Sequence, residues 1–165
     1  MKLTFKKAEE KDIPIINQLA DVIWKKHYPS IITMEQIDYM LDKMYSTAAL
    51  AEQMKQGHQF TLVYLENVPV GYISISTENG KDYFLNKFYV LTDIHRKGIG
   101  AKLFEHVLNQ IPNAETIELA VNRINYKAIN FYFKLGFTIK YSFDKEIGVG
   151  FYMNDFMMIK RIHPL

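Results

Sequence analysis

The stretch His95–Gly100 reads His-Arg-Lys-Gly-Ile-Gly and lies between a strand-like run that ends at Val90 and an apolar pattern with helical spacing. The first turn of a helix has N–H groups without partners, and the helix dipole adds about half a positive charge there. Glycine has no side chain, so an anion can approach the backbone of such a turn closely. The stretch therefore predicts a strand–turn–helix unit that binds a phosphate group.

The glycines alone leave other interpretations open. A tight turn between a strand and a helix can need glycine for its conformation only. A P-loop is excluded, because the sequence has no Gly-x-x-x-x-Gly-Lys-Ser/Thr stretch. A Rossmann turn is disfavoured, because it needs a third glycine, a following acidic residue and a parallel sheet upstream. The upstream sequence instead predicts antiparallel strands.

Residues 1–57 predict one strand and three helices. Apolar alternation predicts the strand over residues 2–7. Apolar residues at the 3.6-residue spacing predict helices that begin after Asp12, Thr33 and Ser46. The Tyr28-Pro29-Ser30 segment separates the first helix from the second.

The rest of the chain predicts a mixed sheet. Two short connections predict an antiparallel meander: a tight reversal at Glu66-Asn67 and a hairpin turn at Asn79-Gly80. Asn79-Gly80 favours a tight turn because both residues tolerate positive φ. A helix ending near Ile111 must then cross over to a strand parallel to the last meander strand. The predicted strands span residues 60–65, 68–77, 82–90, 116–121, 137–141 and 150–161. The predicted fold class is α/β (α+β): a mixed, mostly antiparallel sheet with helices on both faces, as a single domain over residues 1–165.

A second motif lies about thirty residues after the glycine turn. It reads Asn125-x-x-Ala128-x-x-Phe131-Tyr132-x-x-x-Gly136-Phe137, a helix ended by a glycine. With the glycine turn, in this order and spacing, the chain resembles the GNAT superfamily of acetyl-CoA-dependent N-acetyltransferases. The resemblance extends, less specifically, to the bacterial spermidine/spermine-type enzymes, through the long helical insert, Val70-Gly71-Tyr72 and Phe151-Tyr152-Met153.

The resemblance implies a set of site residues and acetyl-CoA as co-substrate. The glycine turn would bind the CoA pyrophosphate, the strand before it would pair with the pantetheine arm, and Asn125 would contact that arm. Tyr132 would be the general acid that protonates the departing thiolate. The implied cofactor-binding residues are Phe88, Tyr89, Val90, His95, Arg96, Lys97, Gly98, Ile99, Gly100, Ala101 and Asn125.

Two positions depart from the family pattern. His95 stands where glutamine or arginine is usual, either as a contact to the cofactor or as a plain turn residue. Phe84 stands where many relatives carry a glutamate base. The base is therefore left open among a water chain, Asp82, Glu118 and a tyrosine, and none is needed if the substrate amine arrives partly neutral.

The helices before residue 57 would shape the acceptor site in this superfamily. Aromatic and acidic residues there suit a cationic amine, although an amphipathic helix with a solvated face explains each one singly. These residues are Trp24, His27, Tyr28, Tyr39, Tyr45, Glu35, Asp38 and Asp42. The predicted acceptor is a primary amine of a small molecule, with polyamines as a lead. The alternatives are a protein or peptide N-acetyltransferase and a non-catalytic acyl-CoA sensor.

Composition limits the remaining classes. The net charge of +2 gives no support for nucleic acid as a partner. No run of about 18 apolar residues predicts a membrane span. Cysteine is absent, and the five histidines are scattered, so no metal site is predicted. We expect a cytoplasmic enzyme, either a monomer or a homodimer, because the apolar residues 156–159 fit a core strand or a dimer edge.

Overall fold

The computed structural model describes residues 1–163, except for the side chains of His95 and Arg96. Strands and helices follow one another along the chain in the order that the sequence predicts. They are β1 Leu3–Lys7, α1 Ile13–His27, α2 Met34–Tyr45, α3 Thr47–Lys55, β2 Gln59–Leu65, β3 Val68–Thr77, β4 Asp82–Val90, α4 Ile99–Gln110, β5 Thr116–Asn122, α5 Tyr126–Lys134, β6 Thr138–Gly148 and β7 Phe151–Arg161.

The strands form one sheet in the order β1-β2-β3-β4-β5-β7-β6. β4 and β5 pair in parallel, whereas β1 with β2, β2 with β3, β5 with β7 and β6 with β7 pair in antiparallel. The parallel pairing covers only Asp82–Phe84 of β4, against Thr116–Glu118 of β5. The sheet is therefore mixed and mostly antiparallel, which confirms the predicted fold class.

The chain forms two compact units by its internal contacts. The first contains Met1–Ser76 and Lys87–Pro112. Helices cover both faces of its strands. On one face Phe5 of β1 stacks on His106 of α4, with ring centroids 4.4 Å apart. On the other face the ring of Trp24 in α1 lies 5.7 Å from that of Tyr89 in β4.

The second unit contains Thr77–Asn86 and the chain from Asn113 onward. Its strands β5, β7 and β6 carry the side chains of one buried face in register. Leu119 of β5 lies opposite Met158 of β7, and both are buried. Helix α5 begins at the Asn125 cap, whose side chain accepts a hydrogen bond from the N–H of Ala128, and Gly136 with φ of 94° follows its end.

The turns differ in part from the sequence predictions. Glu66 and Asn67, at the predicted tight reversal, both have positive φ, as a two-residue hairpin requires. Of Asn79-Gly80, only Gly80 has positive φ, because this loop runs from Thr77 to Asp82. The Asn79 side chain instead accepts hydrogen bonds from the N–H groups of Lys81 and Asp82. The loop is therefore stabilised by a side chain rather than by two left-handed residues.

Two element bounds also differ. The penultimate strand, predicted over residues 137–141, extends as β6 from Thr138 to Gly148. Its residues after 141 are mostly exposed and polar, so apolar alternation could not reveal them; pairing with β7 extends the strand. The chain also does not pass directly from β4 to the glycine turn, since a 3₁₀-helix spans Thr92–Lys97.

A buried tyrosine pair contributes to the stability of the first unit. The hydroxyl of Tyr72 in β3 donates a hydrogen bond of 2.9 Å to that of Tyr45 at the end of α2. We expect Tyr72→Phe to lower the free energy of unfolding by about 1–2 kcal/mol, because it leaves the buried Tyr45 hydroxyl without this donor. Urea unfolding measures the change.

Tyr126→Phe is the matched control, since Tyr126 is 68% exposed and should be neutral. The double variant Tyr45→Phe/Tyr72→Phe should recover part of the loss, because it removes both hydroxyls. Equal stability of Tyr72→Phe and wild type would contradict the assignment.

Candidate functional site

The glycine turn begins helix α4 in a left-handed conformation. Gly98 is its N-cap with φ of 69° and ψ of 17°, which residues with a Cβ adopt at a cost. No side chain caps this helix and no acidic residue lies in its first turn. Lys97, Ala101 and Lys102 are exposed around it, and Gly100 is half-buried. The turn thus presents helix N–H groups and positive charge, the combination that binds anions.

Ile99 of the turn has a structural role. Its side chain is fully buried, so it anchors the start of α4 in the core of the first unit. The predicted contacts of the His95 and Arg96 side chains lie outside the described part of the chain. Lys26 of α1 forms an ion pair with Asp93 in the 3₁₀-helix, which links that segment to α1.

The end of β4 is tied to its surroundings by aromatic contacts. Phe88 stacks on Phe104 of α4, and the hydroxyl of Tyr89 lies 2.9 Å from that of Tyr28. Val90 is buried. A Cβ at Gly71 of β3 would lie 2.6 Å from the main-chain oxygen of Tyr89, so glycine is needed there for β3 to approach β4. The backbone of residues 88–90 is therefore held in a defined position.

Tyr132 and Asn125 lie together on α5, in the second unit. Asn125 is 4% exposed and caps the helix. Tyr132 is 8% exposed, and its ring packs edge-on against Phe137 at 5.6 Å. The main-chain oxygen of Tyr132 accepts a hydrogen bond from the N–H of Phe137. Helix packing thus fixes the phenol ring.

The two named carboxylate candidates for the base are engaged elsewhere. Asp82 accepts hydrogen bonds from the Thr116 hydroxyl at 2.7 Å and from the Asn79 amide at 3.0 Å. These two hydrogen bonds lower the pKa of Asp82, and the bond from Thr116 has the larger effect. Glu118 is ion-paired with Lys140. The lowered pKa of Asp82 is the opposite of the raised pKa that a poised general base usually shows, and the ion pair occupies the Glu118 carboxylate.

The aromatic residues predicted for the acceptor site divide into two groups. Trp24, Tyr28 and Tyr45 meet in one cluster, which also includes Tyr72 and Tyr89. His27 borders this cluster, since its ring centroid lies 4.9 Å from that of Tyr28. The second group is Tyr39, whose hydroxyl accepts a hydrogen bond of 3.1 Å from Lys43.

The acidic residues predicted for the acceptor site face outward. Glu35, Asp38 and Asp42 are exposed on α2. Asp42 nonetheless lines a groove of about 640 Å³ between α1 and α2. This groove is lined by Asn17, Gln18, Asp21, Val22, Leu41, Asp42 and Tyr45.

The sequence predictions omitted Lys87 on β4, the most unusual group of the cluster. Lys87 is 6% exposed, and its Nζ lies 4.9 Å above the centre of the Tyr45 ring. Burial lowers the pKa of Lys87 to about 8. The pKa of His58 is also lowered, first by burial and second by the positive charge of Lys87. The sequence could have indicated this burial, because side chains alternate along a strand and Lys87 lies on the same face of β4 as Leu85 and Tyr89.

Metal-ligand groups and membrane-spanning helices are both missing from the described residues. Within residues 1–163, the His, Asp and Glu side chains nowhere form a group of three that could hold a metal ion. In the same part of the chain, none of the helices is long and apolar enough to cross a membrane.

The buried Lys87 should make the free energy of unfolding depend on pH in the alkaline range. Its pKa is lower in the folded chain than in the unfolded chain, so the unfolded state binds the extra proton between about pH 8 and 10.5 and stability rises with pH there. We expect Lys87→Met to raise the free energy of unfolding at pH 7 by about 2 kcal/mol and to abolish this rise. Urea unfolding at pH 7 and pH 10 measures both effects.

Lys55→Met is the control, because Lys55 is exposed on α3 and should change neither value. A rise between pH 8 and 10.5 that persists in Lys87→Met would assign it to another group.

The geometry and the sequence motifs agree with comparisons to known proteins. The family model for the acetyltransferase (GNAT) domain matches residues 30–151. An uncharacterized N-acetyltransferase of Mycobacterium tuberculosis is 28% identical over 137 residues, covering 81% of this chain and 87% of the relative.

Solved structures share the fold. The paiA N-acetyltransferase of Thermoplasma acidophilum, in complex with coenzyme A, superposes with a TM-score of 0.83 and 22% identity, over 98% of this chain and 99% of that chain. Naa50 of Arabidopsis thaliana, in complex with the bisubstrate analogue CoA-Ac-MVNAL, gives a TM-score of 0.72 and 21% identity, over 98% and 100%. Since the family model matches well over half of the chain, the chain belongs to the GNAT acetyltransferases and is an acetyl-CoA-dependent N-acetyltransferase.

Proposed function

We propose that the protein transfers an acetyl group from acetyl-CoA to a primary amine of a small molecule, by direct attack, with Tyr132 as general acid. The observation that carries the cofactor part is the uncapped start of α4 at Gly98, with exposed Lys97 and Lys102 beside it. In this proposal the N–H groups of residues 96–101 bind the pyrophosphate. Residues 88–90 and Asn125 bind the pantetheine arm, and His95 contributes a hydrogen bond near the phosphates.

The chemistry needs three things from the protein. The amine must be neutral to attack, and the thioester carbonyl must be polarised, which a backbone N–H of β4 can do. The departing thiolate must receive a proton. A phenol with an ordinary pKa near 10 is protonated at neutral pH and can donate to a thiolate of similar basicity. Tyr132 has the residue type, the motif position and the rigid packing for this role.

The acceptor proposal rests on the groove between α1 and α2. Asp21 and Asp42 give it two carboxylates, although Asp21 also pairs with Lys25 at 2.7 Å. A cationic amine suits such a lining, so polyamines are the first acceptors to test. This would place the protein near the spermidine/spermine-type enzymes.

Peptide N-acetylation is the second candidate. The likeness to Naa50, solved with a bisubstrate analogue that includes the peptide MVNAL, supports testing it. Thiol release from acetyl-CoA, followed with spermidine and with a peptide bearing a free α-amino group, separates the two. Turnover with neither, alongside tight CoA binding, would contradict the proposal and favour a sensor.

We also propose that residues 1–165 form a single N-acetyltransferase domain. The support is that single known structures match 98% of the chain. A cytoplasmic location and a monomeric or homodimeric state stay predictions.

Ala101 offers a test of the pyrophosphate site. Ala101→Asp places a carboxylate in the first turn of α4, where it complements the helix dipole but repels a pyrophosphate. We expect the Kd for CoA to rise at least about tenfold, with no loss of thermal stability, since 1.4 kcal/mol of repulsion suffices. Isothermal titration with CoA measures the affinity.

Asn109→Asp is the control, because it makes the same charge change at an exposed position near the other end of α4. Equal CoA affinity in wild type and Ala101→Asp would contradict pyrophosphate binding at this turn.

Tyr132→Phe tests the general acid. The variant keeps the ring that packs on Phe137 and removes only the hydroxyl. We expect kcat to fall about 100-fold, with the affinity for CoA unchanged, because the thiolate then leaves without its proton donor. Tyr126→Phe, on the same helix but exposed, should retain activity. Undiminished kcat in Tyr132→Phe would exclude the assigned role.

A further inference from the structure

A buried carboxylate without a partner lies on β7 of the second unit. Asp155 is 4% exposed, and its position in the sheet is opposite Asn122 of β5 and opposite Phe143 of β6. The other buried carboxylate among the described residues, Asp12, is bonded to Lys6 at 2.8 Å and to the N–H of Glu9 at 2.9 Å. The Asp155 oxygens are not completely enclosed, because the side-chain atoms that are fully buried without a partner belong to other residues. Within residues 1–163 no hydrogen bond or ion pair engages the Asp155 carboxylate.

The adjacent guanidinium does not compensate for this. Arg123 donates to the main-chain oxygens of Phe143 at 2.9 Å and Asp155 at 3.3 Å. It donates to the Asp144 carboxylate at 2.8 Å. The Asp155 side chain therefore receives only a longer-range attraction. Burial raises the pKa of Asp155 to about 6, and Arg123 partly opposes that rise. The group is ionised at neutral pH yet can accept a proton.

The position of Asp155 connects it to the helix of the proposed acid. Asn122, its neighbour across the strands, is the last residue of β5. The main-chain oxygen of Asn122 accepts a hydrogen bond of 3.0 Å from the N–H of Asn125. Asn125 caps α5, which carries Tyr132. The carboxylate thus lies at the end of β5 where the chain turns into α5.

We propose that Asp155 is the general base of the acyl transfer and takes over the role that Phe84 cannot perform on β4. The inference rests on the proposed function. Asp82, Glu118 and Asp144 are each held by a hydrogen bond or an ion pair, so Asp155 is the carboxylate of the second unit that combines burial with an unused proton-accepting group.

The step balances in atoms and charge. The neutral amine attacks the thioester carbon, a C–N bond forms, and the nitrogen becomes positively charged. Asp155 accepts the proton from that nitrogen, which is far more acidic than a free ammonium. The C–S bond then breaks, and the thiolate takes the Tyr132 proton. Transfer of the proton from Asp155 to the Tyr132 phenolate, through solvent, restores both groups.

Asp155→Asn is the central test, because it keeps the shape and removes the base. With spermidine or a peptide as acceptor, the neutral fraction of the amine rises tenfold per pH unit between pH 5 and 7. The slope of log kcat/KM against pH should fall from two to one near pH 6 in wild type and be one throughout in the variant. The charged groups that flank Asp155 are Arg123 after β5 and Asp144 on β6, and they form an ion pair with each other.

In Asp155→Asn we expect kcat to fall about 100-fold, with unchanged CoA affinity.

Controls separate catalysis from folding. Glu118→Gln alters an ion-paired carboxylate of the same sheet and should keep the wild-type slopes. Asp155→Asn should melt no lower than wild type, since it removes a buried charge. In Asp155→Ala, formate should restore part of kcat, which a structural role would not permit.

The outcomes are distinguishable. No turnover by wild type with either acceptor would overturn the proposed function and the base with it. Turnover by wild type with the same slopes and the same kcat in Asp155→Asn would overturn the base alone. A loss confined to KM, with the change of slope retained, would also overturn it, because Asp155 would then only bind the acceptor.

Discussion

The parallel pairing of β4 with β5 is the constraint on which the rest of the fold depends. Parallel neighbours need a long crossover, so α4 must start after β4 and return the chain to the start of β5. That requirement places the start of a helix directly after a strand, at Gly98. The pairing stops after Phe84 and Glu118, although both strands continue. The later residues of β4 are held instead by β3 and by aromatic contacts, as Gly71 and Phe88 illustrate.

Two buried charges lie in the halves of this architecture, one in each unit. Lys87 lies over the ring of Tyr45, and Asp155 lies between two neighbouring strands, where no described residue bonds to its carboxylate. The pKa of Lys87 is lowered and that of Asp155 is raised for the same reason, because burial penalises the charged state of each group. A fold selected for stability alone would replace such groups by apolar ones. Shifted pKa values of this kind concentrate at functional sites, which agrees with the role proposed for Asp155 from its position and contacts.

Specificity for the acceptor involves different physics from cofactor binding. In the proposed cofactor site the pyrophosphate interacts with backbone N–H groups and fixed charge, which any sequence with the right turn supplies. The acceptor is instead proposed to meet side chains of α1 and α2, where Asp21 and Asp42 line the groove and Glu35 and Asp38 point to solvent. Relatives with the same fold can therefore bind the same cofactor and acetylate different amines.

Much of the fold could be predicted from short-range patterns. The helix caps at Thr33 and Ser46, the reversal at Glu66-Asn67 and the turn at Gly98 depend on local backbone chemistry, and they lie where the sequence predicts. The exposed part of β6 could not be predicted, because partner pairing rather than apolar alternation makes it a strand. The prediction of positive φ at both Asn79 and Gly80 was wrong for Asn79. The side chain of Asn79 instead joins a hydrogen-bond network with Asp82 and Thr116.

The sequence by itself determined the order of elements and the family, since motif spacing and periodicity are properties of the chain. Only the tertiary structure decided which charged groups lack partners. Asp82 and Glu118 were plausible bases in the sequence, but contacts with Thr116 and Lys140 engage them. Asp155 and Lys87 were inconspicuous until strand pairing and packing buried them, because desolvation depends on neighbours that are distant along the chain.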